Sequence, residues 1–230
     1  MSAEKISRKR LLKEPDEFIS TTTKAIRFVG EHRRQVIRYA IILLLVMVAG
    51  AGVFFYLDWQ KGKAMAVQGQ ALSLYEEANR KGAGTEGAKE SLRQAMEKFR
   101  EAFSIDSRGN QSQVSQIYIA LCHFGLQEYD AAIAAYNLCL EGPFRPMALN
   151  GLGYCYETKK DYGKALEYFK KNAEEAKSAY QEEGFMGAAR CSEMLNQKPS
   201  ALDFYQKALS QNPKSPMADF LQRKISELKG

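Results

Sequence analysis

The sequence has few of the residues on which enzyme active sites and metal centres depend. Only two histidines occur, His32 and His123, and neither belongs to a pattern of nucleophile, base and orienting acid. The four cysteines include no C-x-x-C pair, and their spacing fits neither zinc binding nor haem attachment. No glycine-rich phosphate loop is present. These absences predict a protein that is not an enzyme and that binds no cofactor or metal ion.

The main part of the chain also lacks an excess of basic residues. The net charge is +6, but residues 1–38 hold ten Lys and Arg against five acidic residues and so carry +5 of it. Residues 39–230 are therefore close to neutral. A protein that binds nucleic acid is expected to carry a basic surface on its folded domain. The charge distribution predicts no nucleic-acid partner.

Long apolar runs are absent except at one place. Residues 39–57 contain no charged side chain, and a helix of that length comes close to the roughly 30 Å of a bilayer core. Tyr39, Tyr56 and Trp59 stand at its two ends, where aromatic residues favour the membrane interface. We predict a transmembrane signal anchor over residues 36–59. A buried core helix and a cleaved signal peptide are the alternatives.

The charges beside this segment predict its orientation. Lys and Arg are concentrated before it, and only Lys61 and Lys63 follow closely after it. The positive-inside rule then places residues 1–35 in the cytoplasm and residues 60–230 on the far side, as a periplasmic domain of a single-pass protein of the bacterial inner membrane.

The residues before the anchor allow two interpretations. Phe18, Thr22, Ile26 and Val29 recur at helical spacing, and Pro15 suits a helix start. The segment is either an amphipathic helix on the inner membrane face or a solvated tail that only sets the topology.

A repeated pattern fills the rest of the chain. An alanine is followed four residues later by an aromatic residue in four copies, which start 37, 33 and 36 residues apart. Each copy follows another helical segment, so the pattern predicts stacked pairs of antiparallel helices. The copies are Ala95/Phe99, Ala132/Tyr136, Ala165/Phe169 and Ala201/Tyr205. The small residues Ala120, Gly153 and Ala189 are predicted to face the repeat alanines.

These residues resemble the tetratricopeptide repeat (TPR), over roughly residues 64–213. The match is fullest at Leu152, Gly153, Tyr156, Ala165 and Phe169, and the last copy matches at Ala201, Tyr205, Ala208 and Pro213. His123 and Ser192 depart from the pattern, because the repeat usually has an aromatic residue there. The resemblance implies an all-α fold, a TPR solenoid of about four helix pairs with a C-terminal capping helix, preceded by the single transmembrane helix.

The resemblance also implies a binding surface. In a TPR solenoid the first helix of each pair lines the concave face, and here that face is rich in Met, Tyr and aliphatic residues suited to an apolar peptide. The alternative occupant is another helix of the same chain. The predicted groove residues are Val114, Ile117, Tyr118, Leu121, Phe124, Met147, Asn150, Tyr154, Met186 and Arg190. A clamp that binds the C-terminal carboxylate of a peptide needs several Lys, Arg or Asn residues along this face. Only Asn150 and Arg190 are present there, so such a clamp is disfavoured.

The remaining titratable residues are predicted to be structural. Cys122, Cys155 and Cys191 occupy the same place in successive first helices, where a buried free cysteine acts as a small apolar residue. A disulfide is possible on the oxidising, exported side of the membrane, and Cys139–Cys155 is then the least implausible pair of the four cysteines. His123 is predicted to be a core histidine with satisfied hydrogen bonds.

A cytoplasmic tail, one anchor and an exported TPR domain together resemble the YfgM-type family, the ancillary subunit of the SecYEG translocon. The resemblance implies a scaffold that assists protein export, with translocon subunits, periplasmic chaperones and exported clients as protein partners and the lipid bilayer around residues 36–59. A dedicated assembly factor for cytochrome c biogenesis, or a cell-division or cell-wall scaffold, is the alternative. In the scaffold alternative, the protein forms homo-oligomers through its solenoid.

Overall fold

The computed structural model describes residues 17–175 and 180–230, with side chains from residue 23 onward except that of Asn110. This part of the chain contains ten α-helices and no strand, which confirms the predicted all-α solenoid. The helices are α1 Glu17–Glu31, α2 Arg33–Lys81, α3 Glu86–Ile105, α4 Gly109–Gly125, α5 Tyr129–Asn137, α6 Arg145–Thr158, α7 Tyr162–Glu174, α8 Gln181–Met194, α9 Lys198–Gln211 and α10 Ala218–Lys229.

The described residues up to Asp58 belong to the first of two units. The backbone of α1 is helical over Glu17–Glu31, and the side chains of Ile26 and Val29 are exposed. His32 separates α1 from α2; its Nδ1 lies 3.2 Å from the Phe28 carbonyl oxygen, and its ring stacks on the Phe28 ring. Pro15, at the predicted helix start, lies outside the described residues, as do the side chains of Phe18 and Thr22.

Helix α2 carries the apolar run of residues 39–57. By length and composition it is a candidate membrane span, and none of its most apolar 18-residue window is buried. A core helix of a globular domain would be covered by other elements, so this structure contradicts the core-helix interpretation of the run. The anchor interpretation and the signal-peptide interpretation both agree with an exposed apolar helix.

The second unit, residues 59–230, contains the stacked helix pairs. The part of α2 after Trp59 packs against α3, and α4–α5, α6–α7 and α8–α9 follow, with α10 packed on α9. The four repeat alanines and the four aromatic residues that follow them are all buried. The structure therefore confirms that the repeated pattern forms the core of the stack. Thr85 and Asp161 cap α3 and α7, each accepting a hydrogen bond of 3.2 Å from a backbone N–H.

The repeat aromatics join consecutive helix pairs. A Cβ added at Gly153 of α6 would lie 2.6 Å from the nearest ring atom of Phe169, and one added at Gly187 of α8 would lie 2.5 Å from it. The ring of Phe169 thus fills the space between α6 and α8. The atoms nearest to Gly153 belong to this ring, whereas the sequence predicts Ala165 there. The ring reaches farther than an alanine methyl group, which explains the difference.

Helix α5 has nine residues and is the shortest of the described helices. Helix α5 ends at Asn137, and the N–H of Cys139 bonds to the Tyr136 carbonyl oxygen at 2.9 Å in a tighter turn. Pro143 follows soon after, and a proline has no N–H to continue a helix and also restricts the residue before it. Cys139 therefore lies in the turn after α5, and Pro143 prevents a regular helix from resuming through that turn.

All four cysteines are free and buried, so no Cys139–Cys155 disulfide is present. Burial raises the pKa of the thiols of Cys122, Cys155 and Cys191 to about 12, and that of Cys139 to about 11. The thiolate is the nucleophilic form, and at a pKa of about 12 only roughly one thiol in 10⁵ is ionised at pH 7.

We therefore expect the native protein to resist alkylation at all four cysteines, and the unfolded protein to react at all of them. The measurement is the mass of the full chain after iodoacetamide treatment, with and without urea. Rapid native labelling at Cys122, Cys155 or Cys191 would contradict the packing of the first helices. The masses should rise only in urea.

Candidate protein-binding groove

The first helices of successive pairs lie side by side, because α4 contacts α6 and α6 contacts α8. Their exposed faces form a pocket of about 240 Å³, which we call the groove pocket. It is lined by Leu121, Phe124, Tyr136, Met147, Asn150, Gly151, Tyr154, Tyr180 and Glu183. Five of the ten predicted groove residues are therefore brought together: Leu121, Phe124, Met147, Asn150 and Tyr154.

Leu121 and Phe124 form an apolar ridge on α4. Both side chains are partly exposed, and both also line a second pocket of about 240 Å³, whose other walls include Tyr75 and Leu92. The Phe124 ring meets Tyr129 edge to face, with 5.7 Å between centroids. The ridge thus offers apolar contact area toward two neighbouring pockets, which suits an apolar segment longer than one side chain.

Asn150 is the polar group buried at the wall of the groove pocket. The residue is 5% exposed, and its Oδ1 has no hydrogen-bond partner among the described residues. A buried acceptor without a partner costs about 1–3 kcal/mol, so such groups are rare unless something else satisfies them. A side-chain amide at this depth is suited to pair with the backbone of a bound peptide.

Tyr154 connects the pocket wall on α6 to the start of α8. Its phenol donates a hydrogen bond of 2.6 Å to a carboxylate oxygen of Glu183. Burial, with the Glu183 hydrogen bond second, raises the pKa of Tyr154 to about 12. The phenol is therefore a protonated donor at neutral pH and holds Glu183 in place at the pocket.

Arg190 has a different role from the predicted one. Its guanidinium donates two hydrogen bonds, of 2.9 and 2.8 Å, to the Glu157 carboxylate, which ties α8 to α6. It also lies over the rings of Tyr154 and Phe169, at 5.6 and 5.8 Å from their centroids. Burial would lower the pKa of Arg190, but its bonds to Glu157 outweigh this and raise it above its ordinary value. Arg190 braces the groove and is already occupied within the chain.

The other predicted groove residues lie beside the groove pocket or beneath it. Ile117 is fully buried among the core residues of the second helix pair, so its assignment to the groove surface was wrong. Tyr118 packs its ring on Phe99 and against the edge of Tyr75. Met186 packs on the core near α9, and Val114 is partly exposed but does not line the pocket.

Four lining residues were not predicted: Tyr136, Gly151, Tyr180 and Glu183. Glu183 lies three residues before Met186, so extending the helical spacing by one turn would have found it. The ring of Tyr136 packs directly against Gly151, where a Cβ would lie 2.3 Å from the ring carbon Cζ. His123 has a hydrogen-bond partner as predicted, with its Nδ1 2.6 Å from a carboxylate oxygen of Glu128, but it is partly exposed and does not lie in the core.

Comparison with known protein families identifies the repeats. Two family models described as tetratricopeptide repeat match the chain, one over residues 120–180 and the other over residues 183–215. These ranges hold α5–α7, most of α8 and all of α9, and they include every lining residue of the groove pocket. No curated protein sequence matches the chain.

Solved structures with the same fold are distant in sequence. BtubC (BKLC) from P. vanneervenii is 15% identical with a TM-score of 0.54, covering 75% of this chain and 82% of that one. The TPR-like repeats of a Podosopora anserina kinesin light chain are 14% identical with a TM-score of 0.53, covering 70% and 85%. MamA from Desulfovibrio magneticus RS-1 is 14% identical with a TM-score of 0.50, covering 71% and 89%. At such identities the likeness shows the fold alone.

Residues 120–180 and 183–215 thus match tetratricopeptide repeats, and the described helices form a TPR-like solenoid. Stacked repeats of this kind are protein-interaction modules that present extended binding surfaces and are generally not enzymes.

Proposed function

We propose that the protein is a membrane-anchored module that binds extended apolar segments of partner proteins in the groove pocket. The observation that carries this proposal is the composition of the pocket: an apolar ridge at Leu121 and Phe124 stands beside Asn150, whose amide oxygen has no hydrogen-bond partner among the described residues. Apolar walls supply affinity, and a few placed polar groups fix the orientation of a ligand.

The exposed apolar run of α2 supports the anchor in this proposal. Nothing described covers residues 39–57, and a bilayer would remove that apolar surface from water. With the basic residues before the run in the cytoplasm, the repeat unit lies on the exported side. Anchoring raises the local concentration of the groove near other membrane components.

We further propose that the partners are proteins in transit at the cell envelope. The chain resembles the ancillary translocon subunit in its architecture, and an apolar groove suits segments that have not yet folded. Translocon subunits, periplasmic chaperones and exported clients are the expected contacts. A dedicated assembly factor would use the same groove for one client.

Site-specific photo-cross-linking in intact membranes tests this proposal. A photoreactive residue at Met147, which lines the pocket, is combined with Leu121→Glu/Phe124→Glu on the ridge. We expect adducts with exported chains, a chaperone or translocon subunits to fall by more than about tenfold in the double variant. An unpaired carboxylate in an apolar site costs more than the roughly 1.4 kcal/mol that a tenfold change represents.

Leu138→Glu is the matched control, since Leu138 is 71% exposed and does not line the pocket. It should leave the adducts unchanged. A single dominant client, such as an apocytochrome or a cell-wall enzyme, would favour the dedicated assembly factor. Adducts that stay within the chain, or that survive in the double variant, would contradict binding at the groove.

A further inference from the structure

The groove pocket carries a negative charge that the described residues do not neutralise. Glu183 is partly buried, and its only described hydrogen bond comes from the Tyr154 phenol, a neutral donor. None of the ion pairs among the described residues includes Glu183, and the nearby guanidinium of Arg190 is held by Glu157. A partly buried carboxylate in this setting attracts a cation more strongly than an exposed one does.

Asn150 adds a second, independent acceptor to the same pocket. It comes from a different helix, and its buried Oδ1 has no partner in the part of the chain that the structure describes. The pocket therefore holds two acceptors from different helices, the Glu183 carboxylate and the Asn150 amide oxygen. A ligand that brings several N–H donors would match them, whereas a carboxylate would be repelled.

We infer that the groove pocket binds a lysine or arginine side chain of the partner, flanked by apolar residues that pack on Leu121 and Phe124. This inference rests on the proposed function and names the chemistry of its partner. The ammonium or guanidinium group pairs with Glu183, and the flanking side chains cover the ridge. The aromatic ring of Tyr180, which lines the pocket, offers a further favourable surface for a cation.

A displayed library of random nine-residue peptides, selected on the full-length protein in nanodiscs, tests the inference. The wild type should enrich peptides in which Lys or Arg stands beside apolar residues. Glu183→Gln should lose the preference for Lys and Arg and keep the preference for apolar residues. Glutamine retains an oxygen that can accept the Tyr154 hydrogen bond, so the variant removes the charge and preserves the local geometry.

One enriched peptide and its Lys-to-norleucine analogue then give the magnitude by fluorescence anisotropy. The wild type should prefer the lysine peptide by about tenfold, as expected for one charge-assisted hydrogen bond. In Glu183→Gln this ratio should fall below about twofold. Glu97→Gln is the matched control, because Glu97 is exposed on α3 and away from the pocket, and it should keep the tenfold ratio.

The outcomes separate this inference from the proposed function. Enrichment of apolar peptides without Lys or Arg, or a tenfold ratio that persists in Glu183→Gln, would overturn the inference and leave the groove as a binding site. Enrichment that is the same in Leu121→Glu/Phe124→Glu as in the wild type would overturn both.

Discussion

Phe169→Ala is expected to lower the free energy of unfolding of the repeat unit by about 3–5 kcal/mol, the range for removing a buried phenylalanine. Phe169 is fully buried between Gly153 and Gly187, so its loss leaves a cavity where two helix pairs meet. The ring also meets Tyr154 edge to face, at 5.2 Å between centroids. We therefore expect a fall in the midpoint of urea unfolding, followed by far-UV circular dichroism in mild detergent.

The matched control for Phe169→Ala is Leu138→Ala, a comparable truncation at a 71% exposed site. Exposed substitutions usually stay within about 0.5 kcal/mol. Stacked repeats can unfold in parts, so hydrogen exchange should show the largest loss of protection in α6–α8, on both sides of the ring. Equal shifts for the two variants would contradict the role of Phe169 in joining the pairs.

The core of the stack could be predicted from the sequence because its determinants are local and repeated. Each repeat alanine and its aromatic partner lie one helical turn apart, and the same pair returns about every 34 residues. Four copies with the same pattern have one common explanation, a helix pair that buries this face against its neighbour. The structure buries all eight of these residues.

The surface of the groove could be predicted only in part, because exposure depends on contacts between elements that are distant in sequence. Helical spacing placed Ile117 and Leu121 on one face of α4, yet Ile117 is covered and Leu121 is not. Tyr118 stacks on Phe99 of the preceding pair. Whether a neighbouring helix covers one turn or the next depends on its angle and offset, which the spacing of apolar residues does not specify.

The same limit applies to charge. Arg190 looked available to a ligand because the sequence does not reveal that Glu157, 33 residues earlier, lies within hydrogen-bond distance. Glu183 was not among the predicted groove residues, and the structure shows that it lines the pocket. Arg190 is paired with Glu157, and Glu183 belongs to no ion pair among the described residues, so the pocket carries a negative charge that the sequence analysis did not predict. The proposed selectivity for a cationic partner therefore could not be derived from composition.

Gly184→Ala should destabilise the repeat unit by about 1–2 kcal/mol, while Gly163→Ala should be neutral or stabilise it by up to about 1 kcal/mol. A Cβ at Gly184 would lie 2.9 Å from the Ala173 nitrogen and 3.0 Å from the Phe169 carbonyl oxygen. These are backbone atoms of α7, so relief requires the helices to move apart. That cost exceeds the gain of roughly 1 kcal/mol from replacing glycine in a helix.

Gly163, on α7, meets only Asp161 Oδ1, at 3.9 Å, so alanine there gains helix propensity without a clash. Both substitutions replace glycine with alanine. The midpoint of urea unfolding should fall for Gly184→Ala, whereas for Gly163→Ala it should rise or stay unchanged. Because Glu183 immediately precedes Gly184, a displaced α8 also moves the carboxylate that Tyr154 holds at 2.6 Å. Gly184→Ala should therefore weaken the preference for a lysine peptide, and Gly163→Ala should not. A Gly184→Ala protein as stable as the wild type would show that α7 and α8 are less closely packed than the structure describes.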